Sequence, residues 1–178
     1  MNIRSLALVA AVVGLVVGGT AITAQAQQTS LPGPESARLK ANELVVAAFM
    51  ADVLNGHHGD HATLYLTPDM QWHGGTVGTV AGSANVAGLM TTVVTSIPDL
   101  HAATQDVVAQ GDEVVVRVVV TGTQKGDLLG IPASGRPVRW DATDLYRLKD
   151  GRISEEWAAE DFTAFLNDTG AYKAPWIP

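Results

Sequence analysis

Residues 137–161, PVRWDATDLYRLKDGRISEEWAAED, decide the fold of this chain. At their centre stands Asp150-Gly151, a two-residue signal for a tight β-hairpin. That turn pairs Lys149 with Arg152. Unbroken register then sets Tyr146 opposite Glu155, Asp144 opposite Trp157 and Trp140 opposite Asp161. Side chains alternate faces with period two. One face is therefore expected to carry Val138, Trp140, Ala142, Asp144, Tyr146 and Leu148, with Ile153, Glu155, Trp157 and Asp161 beside them. A carboxylate on an apolar, aromatic face is costly to bury unless it is paired or used. Its pKa rises there, which suits it to proton transfer near neutral pH. The face thus points to a pocket rather than a plain core. A slip of one residue would exchange the two faces.

Working outward, two strands precede this hairpin, about Leu100 to Ala109 and Glu113 to Gly122, turned by Gly111-Asp112. In the second, Val114, Val116, Val118 and Val120 share one face, and Val115 and Val119 make the other apolar as well. Gly126 to Gly135 reads as a long loop, and Phe162 to Asn167 as a short closing helix. Upstream, Ser36 to Leu54 has apolar residues at near-helical spacing, with Ser36 as N-cap and Asn55-Gly56 as the stop. Met70 to His73 reads as a short strand and Gly74 to Gly82 as a loop. Ala84 to Ser96 reads as a second helix ended by Ile97-Pro98. Helices first and antiparallel strands after imply an α+β domain, the helices packing into the concave side of a curved sheet.

The front end reads differently. Arg4, the apolar run Leu6 to Val17 and Ala24-Gln25-Ala26 have the form of a signal peptide, with cleavage expected after Ala26 and export as the consequence. We therefore divide the chain into a signal peptide (1–26), a flexible leader (27–40), the domain (41–172) and a proline-containing tail (173–178). The whole chain has 178 residues, 47% of them hydrophobic, enough for one domain with a substantial core. Losing residues 1–26 removes Arg4 and no acid, which moves the formal net charge from −7 to −8. With no basic stripe, nucleic acid and anionic membranes are poor partners, and no stable membrane association is expected after cleavage. The chain has no Cys, so it forms no disulfides.

Several motifs together carry a family resemblance. They are PDL (98–100), the Gly111-Asp112 turn before a Val/Arg strand, TGT (121–123), GDLLGIP (126–132), GRPVRW (135–140), the run from Asp144 through DGRI to Trp157, and an Asp four residues after that Trp. In these the chain resembles the SnoaL-like polyketide cyclase, or ester cyclase, family over roughly Leu44 to Tyr172. The resemblance implies the cone-shaped fold of nuclear transport factor 2, a curved antiparallel sheet packed on N-terminal helices. It also implies a deep apolar pocket, a homodimer formed through the sheet, and acid/base chemistry with no cofactor on a small hydrophobic carbonyl compound. In the cyclases an aspartate near the end of the last strand moves a proton during ring closure, and Asp161 matches that position. Asp144 stands where members carry Asp or His, and His73 matches a His of the first strand. Two departures stand out: the cyclases are cytoplasmic, and the cluster His57, His58, Asp60, His61 is foreign to their pattern.

The expected catalytic residues are therefore Asp161, Asp144 and His73, and the expected substrate walls Trp72, Trp140, Tyr146 and Trp157. Each has a plainer role open to it: Asp161 as a helix N-cap, Asp144 as a satisfied buried acid, the tryptophans as core. His57 and His61 are one helical turn apart, but Gly59 weakens a helix there, and a polar loop is the expected reading, with no metal. No GK[ST] follows the glycines of 74–82, and no Ser-His-Asp or Cys-His arrangement is evident. Three functions remain: cofactor-free cyclisation, isomerisation or hydrolysis; a non-catalytic ligand-binding or dimerising domain of the same fold; and a metal-dependent enzyme, which rests on the histidine cluster alone.

Overall fold

The computed structural model describes residues 33–177; the expected signal peptide lies outside them. Helix α1 (Pro34–Phe49) starts with Pro at its first turn and Gly33 as its cap, not at Ser36. Residues 34–40, expected in the leader, are thus part of the domain. The helix runs on into a π-helical turn (Met50–Leu54). Asn55 then ends it, clamping it to the sheet through Nδ2–H to Ala102 O at 3.1 Å and Ala102 N–H to Oδ1 at 2.7 Å.

A 3-10 turn (Gly59–His61) and α2 (Ala62–Tyr65) lead into β1 (Leu66–His73). The glycine loop expected at 74–82 holds a 3-10 turn and a short strand, β2 (Thr79–Ala81). After it come α3 (Ser83–Ser96), β3 (His101–Gln110), β4 (Glu113–Thr123), β5 (Pro137–Lys149), β6 (Arg152–Glu160) and α4 (Phe162–Thr169). No described helix is long and apolar enough to cross a membrane.

The fold is α+β. Six strands form one curved, unclosed sheet in the order β2-β1-β6-β5-β4-β3. Every neighbouring pair is antiparallel except β1 and β6, which run parallel, so the expected antiparallel sheet is mixed at that seam. The buried face carries Val114, Val116, Val118 and Val120 of β4, as the alternation requires, and Val138, Trp140, Ala142, Tyr146 and Leu148 of β5. Phe49 of α1, 1% exposed, meets it edge-on, its ring 6.2 Å from that of Tyr146. A fully buried ring of this size contributes on the order of 1.5–3 kcal/mol.

The 124–136 loop is ordered by one fully buried side chain. Gln124 donates from Nε2 to Ile131 O and Pro132 O and accepts from Ser134 N–H. Asp127 adds a contact from Ala133 N–H at 2.9 Å, and the Ser96 hydroxyl donates to Asp127 O at 2.7 Å. This pins Leu128 into the core while leaving Leu129 41% exposed.

Candidate functional site

The hairpin turn forms as read, Asp150 and Gly151 both taking positive φ (52° and 74°) and Lys149 facing Arg152. The unbroken register beyond it does not hold. Leu148 pairs with Ile153 but Arg147 with Glu155, so Ser154 is an extra residue on β6, a β-bulge. Its hydroxyl donates to Arg147 O at 3.1 Å. From there the faces of β6 are exchanged. Glu156 lies opposite Tyr146, Ala158 opposite Asp144 and Glu160 opposite Ala142. Glu155 and Trp157, expected inside, are outside.

A cavity of about 90 Å³ results between the helices and the sheet. Its walls include the expected Trp72, Trp140 and Tyr146, with Phe49, Met90 and Phe162 from the helices and Leu128 and Leu129 from the loop. The acids on it are Asp144, Glu156 and Glu160. Asp144 and Glu156 are each 5% exposed, and Oδ1 of the first and Oε2 of the second have no hydrogen-bond partner among the described residues. Glu160, only partly buried, accepts from the Trp140 indole N–H.

Burial raises the Asp144 carboxyl well above its ordinary value, the charge of Glu160 adds to this, and a backbone hydrogen bond from Ala159 opposes it. Glu156 is raised for the same first reason, then by Asp144 and Glu160, with Trp72 opposing. Glu160 is raised by burial against the Trp140 hydrogen bond. Tyr146 is pushed up by burial and by the three carboxylates, which keeps its phenol a donor. Acids whose charges oppose one another divide into proton donor and proton acceptor.

Of the residues expected in the site, Asp144, Trp72, Trp140 and Tyr146 come together on this cavity. Three do not. Asp161 is exposed and caps α4, its Oδ1 accepting from Ala164 N–H at 3.1 Å. His73 and Trp157 stack on the outer face with ring centroids 5.2 Å apart, and the Arg147 guanidinium lies 4.7 Å from the Trp157 centroid. His73 reaches Thr79 Oγ1 at 3.3 Å and Glu155 at 3.7 Å. Glu156 and Glu160 were not singled out from sequence. The signal for them was the pair Arg147 and Glu155, opposite charges that belong together on a wet face and meet only if β6 carries a bulge.

The histidine cluster is more ordered than a polar loop. Gly59 starts a 3-10 turn that packs so close to α3 that a Cβ would stand 2.3 Å from the Thr91 nitrogen. Asp52, on the π-helical turn, joins His58 and His61, their ligand atoms all within 4.8 Å, a set able to hold a metal. His57 turns away to Leu100 O at 2.8 Å. Asp52 is held down to about 2 by hydrogen bonds from His58 and Tyr65.

A family model for SnoaL-like polyketide cyclase matches residues 44–169. The chain belongs to this family. The fold of this SnoaL-like protein is that of solved relatives. One is a candidate SnoaL-like polyketide cyclase from Jannaschia sp. CCS1 (23% identity, 80% of this chain and 99% of that one, TM-score 0.71). A second is TsrD from Streptomyces laurentii (26%, 75% and 97%, 0.66). A third is IdmH, a candidate polyketide cyclase from Streptomyces antibioticus (27%, 72% and 98%, 0.61). No curated protein matches the chain. Seen as a SnoaL-like domain, the molecule keeps its aspartate after the last strand as a cap and places its acids one face further in.

Proposed function

We propose that this protein is a cofactor-free acid/base catalyst for cyclisation, isomerisation or hydrolysis of a hydrophobic carbonyl compound. The observation that carries the reading is the pair of unpartnered oxygens, Asp144 Oδ1 and Glu156 Oε2, buried on one aromatic-walled cavity. Their shared charge keeps one protonated, to donate to a carbonyl oxygen, while the other takes a proton from the adjacent carbon. Glu160, held by Trp140, sets the charge around them, and the Tyr146 phenol is a further donor for a developing oxyanion. Carbon NMR of labelled carboxylates across pH tests this. Asp144 and Glu156 are expected to titrate well above the ordinary ~3.9 and ~4.3; ordinary values in both would remove the mechanism. In a screen of aromatic esters and ketones, Asp144→Asn is expected to lower turnover by about 10²–10⁴-fold while ligand binding persists.

A non-catalytic binding domain is the second reading, favoured by Asp161, which caps a helix where the family resemblance would have it move a proton. Unchanged turnover in Asp144→Asn and Glu156→Gln would select it. We also infer export through residues 1–26, for which mass spectrometry of the mature chain should give Gln27 as its first residue. A homodimer through the outer face of the sheet completes the proposal. In its support, Val108, Val115, Leu145, Trp157 and His73 are successive cross-strand partners, and so form one stripe across that face.

A further inference from the structure

We propose that the cavity takes a ligand carrying a small alkylammonium centre, seated between the Asp144 and Glu156 carboxylates and the aromatic faces around them. This rests on the reading of the cavity as a substrate site and adds the charge of what enters it.

The argument begins with what is missing from the walls. Three carboxyl groups line the cavity, and among the described residues no Lys, Arg or His lines it with them. Elsewhere in the domain acids find cations: on the sheet, Arg147 serves Glu113 and Glu155, and Arg117 serves Asp106. Asp144 and Glu156 have nothing of the kind, and each leaves an oxygen unsatisfied at 5% exposure. A buried polar atom without a partner is costly to a fold and calls for a use.

The remaining walls suit the same ligand. Phe49, Trp72, Trp140, Tyr146 and Phe162 bring π systems to the cavity, and the face of an aromatic ring attracts a cation, most strongly where water is excluded. A volume of about 90 Å³ has room for a group the size of trimethylammonium. The positive centre also completes the acid/base pair. Its charge holds one carboxylate ionised as the base, while its neighbour keeps the proton it must donate.

Isothermal titration of the purified chain with choline and with 3,3-dimethylbutan-1-ol tests the proposal. The alcohol has the shape of choline with carbon in place of the charged nitrogen. Choline is expected to bind about tenfold or more tighter than the alcohol, the worth of a desolvated cation–π and ion-pair contact. That advantage should grow as pH rises above the ordinary carboxylate range and the raised carboxyl groups give up their protons; Asp144, Glu156, Glu160 and Tyr146 are the titratable groups on the cavity walls. Asp144→Asn and Glu156→Gln should each erase most of the advantage. The comparison on the unaltered chain decides the matter even if a variant fails to fold. Equal affinity for the two compounds, or no binding of choline, overturns the ammonium proposal. Failure of the acid/base reading is recorded separately, by ordinary carboxyl titrations, whichever compound binds.

Discussion

Asp144 and Glu156 are protonated more readily in the folded chain than in the unfolded one, because burial raises both and the charge of Glu160 adds to it. Linkage fixes the sign of the consequence. Below the ordinary carboxylate range both states are protonated and the groups cost nothing. As pH rises past the ordinary values, the unfolded chain gives up its protons first, so stability falls until the raised folded values are passed. Glu156→Gln keeps the shape and has no proton to lose. Its melting temperature should therefore exceed that of the unaltered chain near pH 8, by about 2–4 °C per kcal/mol of relief, and the gap should close toward about pH 4. Calorimetry across pH measures it, and a gap independent of pH would show that the carboxylate is not the cause. This is the residue-scale trade of a site that holds stability in reserve for chemistry. Asp144 was legible in the sequence because β5 alternates without interruption from Val138 to Leu148. Glu156 was not, because its face depends on a residue that pairs with nothing.

That residue is Ser154, and it acts on the whole of β6. The turn fixed one end of the hairpin, and a single bulge reversed everything beyond it on β6. Apart from β2, which was read as loop, the helices and strands were readable to within a few residues, since periodicity and caps act locally. The parallel seam between β1 and β6 was not readable, because nothing local to Leu66–His73 names a partner more than eighty residues away. The turn carries its own prediction. Gly151 sits at φ 74° with open space where a Cβ would go, so Gly151→Ala meets only backbone strain. It should destabilise the domain by about 1–2 kcal/mol, read as a fall of roughly 2–8 °C in melting temperature. Because the bulge lies beyond the turn, the carboxyl titrations of the folded variant should not move.

For the molecule as a whole, the outer stripe from Val108 to His73 sets the expected assembly. Val108 is 64% exposed at one end of it, so Val108→Asp places a charge in the proposed interface without touching the core. Sedimentation should find the unaltered chain as a dimer and the variant as a monomer; a dimer in both would move the interface elsewhere. The order of strands has a further consequence, for the time course of folding. β6 lies between β1 and β5 and bears Glu156 and Glu160, yet it follows the other five described strands along the chain. Until it emerges, β1 has only the three-residue β2 beside it. Contacts this distant along the chain must wait for a large loop to close, which places the domain among slower-folding topologies. The sheet of a nascent chain therefore remains open until β6 has emerged, and the three acids converge on their cavity only as that strand closes it.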